Sequence, residues 1–231
     1  MKKILTAAFT TLVFATPALA QNVSVDVTNL TNAIYFTPLL VATHPESTHL
    51  FKSGTAASAN LQTMAEGGNT AGLITDLMGI SADISDNPAG GLLAPGASTN
   101  ATFPKGGQNT HLSLVAMMLP TNDGFVGLDA LEIPNATGTY TYFLNAYDAG
   151  TEANDEIING GGATGTPGIP ADPGGNNGTG ATGVTTTENN MMVHIHRGVL
   201  GDMDLVAGKS DLTTNIHRWL NPVAKIVITV N

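Results

Sequence analysis

Asp148, Glu152, Asp155 and Glu156 fall within nine residues, and Asp123 and Asp129 lie just before and within the apolar run Phe125 to Leu131. Charged residues are only 11% of the chain, against about 25% in an average soluble domain, so the clustering carries information. A hard cation such as Ca²⁺ takes about six to eight oxygens from carboxylates, carbonyls and water, and glycines at 150 and 160 to 162 leave carbonyls free to turn inward. The other readings are a solvated acidic loop, or a carboxylate pair for glycoside hydrolysis. With one Trp and 5% aromatic residues there is little to stack on a sugar.

His194-Ile195-His196 is the second constellation. Residues i and i+2 of a strand share a face, so both imidazoles could reach one transition metal and form a second metal site. The alternative is two histidines that hydrogen-bond loop carbonyls. A copper–zinc dismutase site needs further closely spaced histidines downstream, and only His217 follows.

Other chemistry is excluded. With no cysteine there is no disulfide, thiolate zinc site, iron–sulfur cluster or catalytic thiol. No Gly-x-Ser-x-Gly elbow occurs, and the glycines of 159–183 precede no lysine, which removes a phosphate-binding loop. A formal charge of −10 and a pI near 4.7 argue against nucleic acid as a partner, since phosphate binding needs a basic stripe. An enzyme is not expected. The alternative is a periplasmic transition-metal-binding protein or metal-dependent enzyme built on His194 and His196.

The elements that must position these groups are strands. Val23, Val25 and Val27 alternate with polar residues, a period of two with one buried face. Similar runs recur at 34–41, 111–119, 125–131, 139–147, 191–196 and 223–230, bounded by Gly, Pro, Asn or Asp. Many short strands without long helices between them predict an all-β fold, an antiparallel β-sandwich. Residues 55–79 differ: their apolar residues fall at helical spacing, broken at Gly67-Gly68-Asn69, and predict two short helices packed on the sandwich as an insertion. Residues 159–183 carry ten glycines and three prolines and predict a long surface loop. Only 48 residues follow it, too few for a second core.

Residues 1–20 read as a signal peptide: Met1-Lys2-Lys3, an apolar run from Ile4 to Phe14, and small residues at Ala18 and Ala20 before the cut. The run is too short to anchor in a bilayer, which takes about 20 apolar residues, and no transmembrane segment is expected elsewhere. The mature chain, 21–231, is expected to be one exported domain, periplasmic or secreted. Losing Lys2 and Lys3 makes it two charges more acidic.

Two motifs carry a resemblance. Residues 120–131, Pro-Thr-Asn-Asp-Gly-Phe-Val-Gly-Leu-Asp-Ala-Leu, and residues 147–152, Tyr-Asp-Ala-Gly-Thr-Glu, resemble the paired motif of the spondin N-terminal domain family of F-spondin, mindin and exported bacterial proteins. Weaker similarity runs from Val23 to Val230. The resemblance implies a β-sandwich akin to calcium-dependent membrane-binding modules, with one Ca²⁺ at its end held by Asp123, Asp148 and Glu152. It also implies an adhesive role toward an extracellular matrix, polysaccharide or cell-surface partner. This chain departs from the animal pattern twice: the third ligand position is Glu rather than Asp, and Gly124 stands where the pattern has Trp.

Overall fold

The structure is a computed structural model that describes residues 21–231 apart from Asn176 and Leu205. The signal peptide expected over residues 1–20 lies outside the described residues. Among the described residues, no helix is long and apolar enough to cross a membrane.

The all-β, antiparallel expectation holds. In β1 (Asn22–Asn29) the three valines are fully buried. They sit across from Val230, Ile228 and Ile226 of β10 (Ala224–Val230) on one side and from Phe103, Ala101 and Thr99 of β5 (Ser98–Pro104) on the other. The period of two thus builds one wall of the main core. The strand β5 offers only two apolar inward residues, and β4 (Asp83–Asp86) only Ile84. Both are polar edge strands, so the hydrophobic pattern does not announce them.

The run 34–41 divides into β2 (Tyr35–Phe36) and the start of β3 (Leu40–His44). The strands β6 (His111–Leu119), β7 (Gly124–Glu132) and β8 (Gly138–Asp148) lie close to their expected positions. The run 191–196 contracts to the two-residue β9 (His194–Ile195). The strand order is β4-β3-β6-β7-β8-β10-β1-β5, with β2 attached to β6 and β9 to β8. The long β8 serves both halves of the sheet: residues 138–144 pair with β10, and residues 145–148 pair with 124–127 of β7. The end strands β4 and β5 approach each other, so the sheet nearly closes into a barrel.

Strand β6 is apolar on both faces because both are covered. Leu112, Leu114, Ala116 and Met118 face the main core, while Val115, Met117 and Leu119 face a second layer. That layer holds the helical insertion, α1 (Ala59–Gly67) and α2 (Ala71–Met78), through Leu61, Met64, Leu73 and Leu77. Ser58 caps α1 by accepting from Leu61 N at 3.1 Å, and Gly68 ends it with φ of 71°.

The glycine-rich segment is folded rather than free. Ile169 is fully buried, bridges Ile158, and packs with Val199, Leu212 and Trp219 into a third small core.

Candidate metal centre

Gly124 at the start of β7 lies opposite Asp148 at the end of β8, so this pairing brings Asp123 and Asp148 to one end of the sheet. Asp129, six residues further along β7, is carried away by about 20 Å at about 3.3 Å per residue. Its carboxylate instead accepts from Leu50 N at 2.8 Å and Phe51 N at 3.3 Å and pairs with His49 Nδ1 at 2.5 Å. Of the two acids, only Asp123, just before β7, joins the acidic loop; Asp129 lies within the strand.

After Asp148 the chain turns at Gly150, whose φ is 69° and where a Cβ would lie 2.6 Å from Asn190 O. The turn wraps around Asp123: Oδ2 accepts from Thr151 N at 2.8 Å, Thr151 Oγ1 at 3.1 Å and Glu152 N at 3.3 Å. Asn122 clamps the far end of the loop, donating to Asp155 Oδ1 at 2.8 Å and accepting from Glu156 N at 3.2 Å. Glu156 itself points away from the centre and anchors Leu200 N, Gly201 N and Ser210 Oγ.

Asp123, Asp148 and Glu152 are 0%, 1% and 9% exposed. Burial pushes the Asp123 carboxyl up to about 7, aided by the neighbouring Asp148 charge and opposed by the Thr151 and Glu152 hydrogen bonds. Burial raises Asp148 as well, against hydrogen bonds from Asn154 and Gly150. Glu152 is pushed up to about 8, first by burial and then by the charges of Asp123, Glu66 and Asp155, while its bond from Gly168 N opposes.

The hydrogen bonds leave a remainder. Asp148 accepts from Gly150 N at Oδ1 (2.8 Å) and from Asn154 Nδ2 at Oδ2 (2.6 Å). Glu152 Oε2 accepts from Gly168 N at 2.9 Å. Asp123 Oδ1 and Glu152 Oε1 are buried and meet no donor. A buried carboxylate oxygen without a partner is costly, and both orphans belong to residues of the expected ligand set. In donor chemistry the set fits a hard cation. Among the described residues, no three His, Asp or Glu side chains are gathered into a ready-made cage.

Glu66, at the end of α1, is a fourth buried carboxylate near the centre. It accepts from Gly165 N at 2.6 Å and Gln62 Nε2 at 2.8 Å. A single glutamate in a helix 57 residues before Asp123 gives no motif by which sequence reasoning could find it, and Asn154, though only two residues after Glu152, is a neutral amide that a search for clustered carboxylates passes over.

The two histidines of the His-x-His segment part company. His194 lies opposite Asp148 in the β8–β9 pair, partly exposed, with Nε2 3.8 Å from Asp148 Oδ2. His196 is buried beyond the strand end: Nδ1 accepts from Gly198 N at 2.9 Å, and Nε2 donates to Asn154 Oδ1 at 3.1 Å. Burial, with the Arg197 and His194 charges, holds its pKa down at about 3, so the ring is neutral. Both His196 nitrogens are committed, and the pair does not present two free donors to one metal.

The outer side of Asp148 opens on a polar cavity of about 330 Å³ lined by Asp148, Asn154, Glu188, Asn190, His194 and Arg197 among others. The position of Gly124 also has a cause: a Cβ there would lie 2.7 Å from Thr121 Oγ1 and 3.0 Å from His196 Cδ2. The histidine ring occupies the space toward which a tryptophan would point.

In comparison with known proteins, the Spondin_N family model matches residues 27–157. The match includes Asp123, Asp148 and Glu152 and ends before the glycine-rich segment and the two histidines. No curated protein matches the chain.

Proposed function

The chain belongs to the spondin N-terminal domain family, and from that premise we propose that it is an exported calcium-binding β module. Its ion-ordered loops would recognise an extracellular matrix, polysaccharide or cell-surface partner. The observation that carries the reading is the pair of buried, unpartnered oxygens, Asp123 Oδ1 and Glu152 Oε1, beside the buried Asp148.

Asp123, Asp148 and Glu152 would hold the ion, with backbone carbonyls and water completing the shell. Bound there, Ca²⁺ would supply the positive charge that lets three crowded carboxyls ionise together. The residues themselves spread that order outward. Asp123 Oδ2 holds the 151–152 backbone, Glu152 Oε2 holds Gly168 in the glycine-rich segment, and Asp148 forms a wall of the polar cavity.

The test is a thermal melt of the mature chain after chelation, with calcium, zinc and copper added back separately. Calcium alone should raise the melting temperature, and the rise should grow with the logarithm of its concentration. Asp148→Asn and Glu152→Gln should abolish most of the rise. A melting curve unmoved by calcium would overturn the reading, and a rise with zinc or copper lost on His194→Ala would replace it with a histidine metal site.

A further inference from the structure

We propose that His196 and Asn154 are positioning residues of the metal centre, acting on the cation through Asp148. The inference rests on the calcium reading above and extends it to residues outside the ligand set.

The geometry is a directed chain of donors. Gly198 N–H donates to His196 Nδ1 at 2.9 Å, which leaves the ring proton on Nε2. That proton is donated to Asn154 Oδ1 at 3.1 Å. With its oxygen so assigned, the amide turns Nδ2 toward Asp148 Oδ2 at 2.6 Å. Arg197 fixes the same asparagine from behind, donating from Nη2 to its carbonyl at 2.7 Å. The ring packs close to the backbone at Gly124 and to the indole of Trp219, whose centre is 5.2 Å distant.

At the end of this chain Asp148 is fixed at both oxygens, Oδ1 by Gly150 N and Oδ2 by Asn154. Each carboxylate oxygen accepts two bonds, so both retain a lone pair for a cation while the group is barred from rotating. Groups placed this way around a ligand commonly change metal affinity by tenfold or more when removed. The second histidine of the His-x-His segment thus serves the carboxylate centre and is not itself a ligand.

The experiment measures calcium affinity by titration calorimetry on the full mature chain, with the chelated melting temperature of each variant as the control for folding. His196→Phe keeps the ring against Trp219 but loses the donor, and should weaken calcium binding about tenfold. His196→Gln, whose amide can donate from the Nε2 position, should bind within about threefold of wild type even where its chelated melting temperature falls as far as that of His196→Phe. Asn154→Ala should weaken binding at least as much, and adding His196→Phe to it should cost nothing more, because both act through one path. If the wild type binds calcium and His196→Phe and Asn154→Ala bind it equally well, the inference is overturned. If His196→Phe does not fold, Asn154→Ala, which removes the contact to Asp148 itself, decides the matter. A wild-type chain that takes up no calcium overturns the reading of the preceding section and this one with it.

Discussion

The ring of His196 stands against the bare backbone of Gly124: a Cβ placed on that glycine would come within 3.0 Å of His196 Cδ2 and 2.7 Å of Thr121 Oγ1. Residue 124 follows Asp123 and pairs with Asp148, so the contact joins the two acidic motifs to a segment 72 residues after Gly124.

Gly124→Ala should therefore destabilise the chain by about 1–3 kcal/mol, the usual cost of overpacking a filled site. Denaturant unfolding measures this. His196→Ala should recover part of the loss in the double variant, since it vacates one side of the clash, and a strictly additive result would show that Thr121 alone sets the limit.

Stability should fall with rising pH when metal is removed. In the folded chain Asp123 and Glu152 keep protons up to about pH 7 and 8, whereas their ordinary values are 3.8 and 4.5. The folded state binds more protons over that range, so each contribution is complete below the ordinary value and is lost as pH rises through the folded one. The buried histidines His196 and His44, both lowered, act in the opposite sense but only below their ordinary value of 6.5. The window is thus about pH 6.5 to 8. Melting temperatures in chelator should drop across it, while the increment from saturating calcium should grow, because the ion favours the ionised carboxyls. A flat chelated profile would contradict the burial of these groups.

Asp129→Ala should separate structure from metal binding. The substitution removes the acceptor for Leu50 N, Phe51 N and His49 and should cost about 1–3 kcal/mol in unfolding experiments. Calcium affinity should stay at the wild-type value, since Asp129 lies about 20 Å along β7 from Asp123. A loss of calcium binding comparable to that of Asp148→Asn would mean that the two ends of β7 are linked in a way the geometry does not show.

The sequence alone determined much of the fold. The alternation at Val23, Val25 and Val27, the break at Gly67-Gly68 and the acids before one predicted strand and after the next are local features, legible from the backbone periods of 2 and 3.6 that hold wherever the segment ends up. Strands β4 and β5 escaped that logic because, as edge strands, they carry one and two apolar residues. The tertiary structure decided the rest. It brought Asp123 to Asp148 and Glu152 but sent Asp129 to His49 and Glu156 to the 200–210 segment. It buried Glu66 beside the centre and tied Gly168 to Glu152. It also turned His196 inward onto Asn154 while His194 stayed at the rim. These partners lie up to about a hundred residues apart, and which of them meet depends on strand register, since a slip of one residue turns every side chain to the opposite face.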